Sequence, residues 1–122
     1  MENVFWGFYG GKYATKEKFV DAIIAYNRKI GKTEWNPNEV VVENKQVIIS
    51  YAYETGDNEV NEEFHLSAED DTFIAGELLF EIHNQIVEHL ENLDYHFFEG
   101  LIYNGIHEKY PHIPFYYLNL GS

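Results

Sequence analysis

The candidates for chemistry in this chain are histidine, carboxylate and serine side chains. The 122 residues include no cysteine, which excludes a thiol nucleophile, a zinc-thiolate set and a disulfide framework. Six histidines raise the question of a metal. His83 and His89 lie six residues apart, about 600° of helical rotation, so they point to different sides of one helix. Neither HExxH nor an i, i+4 histidine pair occurs, and His96, His107 and His112 could converge only through tertiary folding. Structural histidines are the plainer expectation, so no metal or other cofactor is expected. Asp57, Glu59 and Asn61 have the alternation of a calcium loop, but Glu62 stands where its glycine must be and Ala68 where its bidentate glutamate must be. Glu99, inside Tyr95-His96-Phe97-Phe98-Glu99-Gly100-Leu101, is the best general-acid candidate, because a carboxylate among aromatic rings holds its proton more tightly. The alternative is a strand glutamate that faces water. Ser50, Ser67 and Ser122 lack a nucleophile-elbow context, and Gly10-Gly11-Lys12 lacks the spacing of a phosphate loop. No catalytic residue set emerges, and the expectation is a protein that is not an enzyme.

Charge is more informative. The net charge is −13, and it is segregated along the chain. Residues 1–32 hold six of the eight basic side chains against Glu2, Glu17 and Asp21. Residues 33–122 hold eighteen acids against Lys45 and Lys109. Eight acids and no base lie between Glu54 and Asp71. Such a surface repels nucleic acid and anionic lipid and attracts cationic partners. Simple solubility is the competing explanation. The start, MENVFWGFYGGKYA, has neither a basic nor an apolar signal region, and no apolar run approaches the ~20 residues of a bilayer span. A cytoplasmic protein is expected.

The elements that must position these groups follow from periodicity. Length and 45% apolar content predict one domain over residues 1–122. Residues 3–11 read as a short strand or a core-packed loop. Thr15 is a natural N-cap for KEKFVDAIIAYNRKI, in which Phe19, Val20, Ile23, Ile24 and Ile30 share one side and Gly31 occupies the C′ position. Glu39–Glu43 and Gln46–Tyr53, separated by Asn44-Lys45, predict a hairpin. After a turn at Thr55–Asn58, a third strand sets Val60, Phe64 and Leu66 on one face and Glu59, Asn61, Glu63 and His65 on the other, a solvated acidic row. Residues 72–93 predict a long helix with Leu79, Ile82, Ile86, Leu90 and Leu93 inward and Glu77, Glu81, Glu88 and Glu91 outward. Asp70 and Asp71 stand at its start, and Gly76 permits a close backbone approach. Tyr95–Tyr103 and Phe115–Leu120 are two further strands. Helix, three strands, helix and two strands predict an α+β fold, a mainly antiparallel sheet of about five strands with the second helix packed across it. The aromatics are expected mostly in the core; among Trp6, Trp35, Tyr116 and Tyr117, one of each pair is a candidate for a surface contact anchor.

The run FIAGELLFEIHNQIVEHLENLDYHFFEGLIY, with PFYYLNLGS at the end, resembles the small immunity proteins encoded beside bacterial polymorphic or contact-dependent growth inhibition toxins. The resembling part covers roughly residues 72–122. It implies a role but no residue-by-residue site: binding and neutralising a cognate toxin, often a basic nuclease. Charge leads separately to a cationic protein partner, with no nucleic acid and no membrane, for a monomer or weak homodimer. The expected partner-binding residues are Glu59, Glu63, His65, Glu69, Asp70 and Asp71. Two other classes stay open. One is a small-ligand or enzyme domain with an aromatic-lined pocket between helix and sheet. The other is an obligate homo-oligomer whose acids serve only solubility.

Overall fold

In the computed structural model, which describes residues 1–90 and 93–122, Thr15 caps the first helix by accepting the Lys18 N–H at 3.2 Å. That helix, α1 (Lys16–Lys29), ends where Gly31 takes φ +78° and returns its N–H to the Arg28 carbonyl at 3.1 Å. A side chain at Gly31 would be strained in that left-handed conformation, so glycine belongs there. Phe19 and Ile23 are buried as the pattern predicts, whereas Ile30, the C-cap, is exposed. Asn27 shares the buried face. Its amide donates to the Phe5 carbonyl at 2.8 Å and its Oδ1 accepts the Phe5 N–H at 2.9 Å, fastening the N-terminal segment to α1. In that segment Val4, Trp6 and Phe8 alternate into the core.

The strands are β1 (Val40–Val42), β2 (Gln46–Thr55), β3 (Asn58–Ser67), β4 (Phe73–Ile74), β5 (Phe97–Tyr103) and β6 (Phe115–Gly121). With α2 (Ala75–Leu90) they form an α+β fold of two sheets, a pair β1-β4 and a larger sheet in the order β3-β2-β6-β5. The large sheet is antiparallel except where β2 runs parallel to β6. The hairpin expected between Glu39–Glu43 and Gln46–Tyr53 does not form, because β3 occupies one edge of β2 over its whole length and β6 begins along the other. β1 pairs with β4 instead, and Asn44 turns the chain by accepting the Gln46 N–H at 2.9 Å.

The β1-β4 pairing also moves the start of the long helix. Phe73 and Ile74 are drawn into the small sheet, and α2 begins at Ala75 rather than at residue 72. The Ala75 and Gly76 N–H groups donate to the Glu39 and Pro37 carbonyls, both at 2.8 Å, which satisfies donors that a helix start otherwise leaves orphaned. Asp70 and Asp71 therefore precede β4 and do not open the helix. The expected last turn, with Glu91, lies outside the described residues.

α2 packs against the sheet. Leu78, Leu79, Ile82, Ile86 and Leu90 share one core with Phe19 and Ile23 of α1 and with Val47, Ile49, Tyr51, Phe64, Leu66, Phe98 and Leu118 of the sheet's inner face. At about 1.5–3 kcal/mol for each large apolar side chain buried, this face dominates stability. No helix among the described residues is long and apolar enough to cross a membrane.

Candidate binding face

The outward rows of the large sheet follow from register. On β3, Glu59, Asn61, Glu63 and His65 all face away from the core and are exposed; they pair with Glu54, Ala52, Ser50 and Ile48 of β2. Half of this face is nonetheless covered. The β5–β6 connection folds back so that His107 Nε2 meets Glu63 Oε1 at 2.9 Å, while Tyr110 packs edge-on against His65 with centroids 4.8 Å apart. His107 Nδ1 accepts the Lys109 and Tyr110 N–H groups at 3.1 and 3.2 Å, so its ring proton sits on Nε2 and is donated to Glu63. Phe115 adds a further ring 4.9 Å from His107, and Ile48 beneath is completely buried.

The six residues expected to bind a partner thus separate into three groups. Glu63 and His65 are engaged within the chain. Glu59 stands at the far, hairpin end beside Glu54. Glu69, Asp70 and Asp71 lie beyond the other end of β3. The Glu69 N–H donates to Glu77 Oε2 at 2.9 Å, and the Asp70 carbonyl accepts from Lys45 Nζ at 3.5 Å. Eight strand residues at ~3.4 Å separate Glu59 from Ser67, roughly 27 Å and more than three Debye lengths at physiological salt. They do not act as one electrostatic patch.

The acidic row expected on α2 is also broken. Glu77 is buried, Glu81 is half-buried, and Glu88 lies 3.6 Å from Lys12. Burial, followed by the neighbouring Glu77 and Glu69 carboxylates, pushes the Glu81 carboxyl above its usual range. His65 and His107 come together with ring centroids 6.4 Å apart, but no metal-holding group of three or more His, Cys, Asp or Glu side chains occurs among the described residues. His83 is completely buried and accepts the Trp6 indole N–H at 3.1 Å on Nδ1, so Nε2 donates to the Gly11 carbonyl at 2.7 Å. Burial lowers its pKa, opposed by that Gly11 bond. His89 points elsewhere: its Nδ1 and the Tyr51 hydroxyl share a hydrogen bond of 2.6 Å. Desolvation, then Glu62 and Tyr53, holds the Tyr51 phenol far above its usual range, so it stays protonated.

Glu99 is the extra residue of a bulge in β5, exposed and lying over Gly121, so the water-facing alternative describes it. None of Trp6, Trp35, Tyr116 and Tyr117 is exposed. The exposed aromatics are Phe5, Tyr9, Tyr95, Tyr103 and Tyr110.

Sequence reasoning missed a cleft that only topology reveals. β2 and β6 pair only over Ile48–Ser50 and Phe115–Tyr117, after which β2 continues to Thr55 and β6 to Gly121 without further pairing to each other. The strands leave a wedge of about 420 Å³ lined by Ala52, Tyr53, Glu54, Glu59, Tyr117 and Leu120, with Leu93, Asp94 and Tyr95 from the α2–β5 connection. Its walls combine three carboxylates with three tyrosines and no basic residue. Tyr53 is stacked on Tyr51 and His89, with centroids 5.9 and 5.6 Å apart, which fixes one wall. The aromatic cleft therefore sits at a splay in the sheet, whereas the space between α2 and the sheet is filled by buried side chains. Comparison of the chain with protein-family models, curated proteins and solved structures finds no match.

Proposed function

We propose that this chain is a non-catalytic binding protein that captures a cationic protein on the open half of its large sheet, as an immunity protein does when it neutralises a toxin. One observation carries the reading. The four strands of the large sheet contain no lysine or arginine, and their outward face carries Glu54, Glu59 and Glu63. Four of the eight basic side chains, Lys16, Lys18, Arg28 and Lys29, sit on α1. A one-sign face of this kind speeds encounter with a cationic partner and disfavours anionic ones. The resemblance of residues 72–122 to toxin-neutralising proteins supports the same role.

The test uses the product of the gene adjacent to that of this chain. Its expression should arrest growth, co-expression of this chain should relieve the arrest, and the two purified proteins should bind with an affinity that falls as salt rises. Glu59→Lys combined with Asn61→Lys leaves the Glu63–His107 contact intact and should slow association. Glu88→Lys, on the helix layer, should not. A neighbour that is neither toxic nor bound, or binding insensitive to both salt and the strand variant, overturns the proposal.

A further inference from the structure

The wedge has backbone chemistry as well as charge. The Ile48 N–H donates to the Pro114 carbonyl at 2.9 Å, so even-numbered residues of β2 direct their backbone polar groups toward β6. The same alternation turns the N–H and C=O of Ala52 and Glu54 into the wedge, beyond the last paired position. On β6, the Phe115 carbonyl accepts the Asn104 N–H at 2.8 Å, so odd-numbered residues face β5 and the backbone of Leu120 faces the wedge from the opposite side. Among the described residues the two strands do not pair with each other beyond Ser50 and Tyr117, so two lengths of strand confront each other across the cleft, a template for an incoming extended chain.

The side chains define what that chain must carry. Glu54 and Glu59 stand opposite each other at the hairpin end, and Asp94, Tyr53, Tyr95 and Tyr117 also line the wedge. A cation flanked by carboxylates and aromatic faces gains from both, through charge pairing and through attraction to the ring face. Tyr95 is 58% exposed, so a contacting surface is available without rearranging the core.

We propose that the wedge between β2 and β6 is a docking slot for an extended, lysine- or arginine-bearing segment of the partner protein, which adds as a strand along Ala52 and Glu54 and places a cationic side chain among Glu54, Glu59 and Asp94. This rests on the reading of the chain as a binder of cationic proteins and adds where and how the partner is held. Backbone pairing supplies affinity with little sequence demand, and the carboxylate trio selects the charge.

The probe is a short synthetic peptide of alternating lysine and threonine, titrated into the isotope-labelled protein at low salt. Saturable shifts of the Ala52, Glu54 and Leu120 amides are expected. Replacing Glu54→Gln, Glu59→Gln and Asp94→Asn together should weaken binding by about tenfold, the loss expected when attracting charges are removed. N-methylation of alternate peptide amides should abolish the amide shifts while leaving the peptide's charge unchanged. Equal binding by the methylated peptide, or by free lysine amide, would show a simple cation site and overturn the slot, as would shifts confined to Glu69–Asp71 or no shifts at all. The broader reading is scored separately, on the adjacent gene product. If that protein binds the triple variant as tightly as the unaltered chain, the slot is wrong and the capture of a cationic protein stands.

Discussion

Replacing His83 by leucine tests whether the buried ring cluster is held by hydrogen bonds or only by packing. The imidazole lies among the rings of Trp6, Phe8, Tyr13 and Phe19, with centroids 5.8, 5.9, 5.3 and 5.1 Å away. Leucine has a similar volume, so the cavity term is small. The main loss is that the Trp6 indole N–H and the Gly11 carbonyl lose their only observed partner. A buried polar group left unsatisfied costs about 1–3 kcal/mol. Trp6 is only 8% exposed and should sit high in that range, whereas Gly11 is half-buried and reaches water more easily. The total is about 2–4 kcal/mol, a large share of the 5–15 kcal/mol typical of a folded domain.

Acid adds a second signature. Burial lowers the folded-state pKa of His83 below its unfolded value, so the unfolded chain binds the extra proton. The stability contributed by neutral His83 is complete above the unfolded value of about 6.5 and is lost as pH falls through the folded-state value. Leucine cannot titrate, so the stability gap between wild type and His83→Leu should narrow on acidification. Urea unfolding followed by tryptophan fluorescence across a pH series gives both quantities. His83→Gln, which retains one acceptor and one donor, should recover part of the loss. A leucine variant within 1 kcal/mol of wild type at pH 8, with an unchanged pH slope, would refute the account.

Gly76→Ala sets helix propensity against space. Alanine favours a helix interior by about 1 kcal/mol, yet a Cβ at this position would lie 2.8 Å from Val20 Cγ2 and 3.3 Å from the Pro37 carbonyl oxygen. The clash should win, with net destabilisation of about 1–2 kcal/mol in urea unfolding. Glu81→Gln should raise stability slightly at neutral pH, by less than about 0.5 kcal/mol because solvent screens a half-buried site. A carboxyl whose folded-state pKa is raised favours folding below its unfolded value and loses that contribution as pH rises through the folded one, so the gain should vanish near pH 4. Thermal melts with and without a strong chelator should coincide. A fall of about 10 °C on chelation, more than the loss of 1 kcal/mol would cause, would mean that the histidines had been misjudged.

Local signals carried most of the fold. The Thr15 cap, the Gly31 terminator, the buried Phe19 and Ile23, the buried run Leu79, Ile82, Ile86 and Leu90, and the alternation of β3 depend on contacts a few residues away, and each appears where the pattern places it. Competition between distant segments carried the rest. Nothing near Val40–Val42 announces that its partner is Phe73–Ile74, because the choice depends on which edges of β2 are already taken. The outward alternation of Glu59, Glu63 and His65 was legible, but the connection that brings His107 onto Glu63 joins residues 44 apart in sequence. Glu77 looked like a surface acid by helical position and is buried because the loop after β3 delivers the Glu69 N–H to it. The wedge had no sequence signal at all. It arises from the point at which two parallel strands cease to pair.

The carboxylates between Glu54 and Asp71 serve different ends. β3 is an edge strand, and charged side chains along an edge discourage pairing with another sheet, which suffices to explain Glu63. Glu69 and Asp70 use their backbone N–H and C=O in local bonds, to Glu77 and Lys45, and their side chains are exposed. Glu54 and Glu59 differ. Glu54 directs its backbone toward β6, so the pair occupies a non-hydrogen-bonded position, where opposing side chains approach most closely. Like charges placed so are destabilising. Among the described residues no cation lines the wedge to relieve them. Edge protection would be met by either residue alone, so their opposition is a cost that an incoming cation removes. Glu54→Gln should therefore make the isolated chain more stable at low salt. The gain should disappear near 1 M salt, where the Debye length falls to about 3 Å, and the same change should weaken binding of the lysine–threonine peptide. A variant that loses stability at low salt would show that Glu54 is held by contacts within the chain, and the repulsion argument would fail.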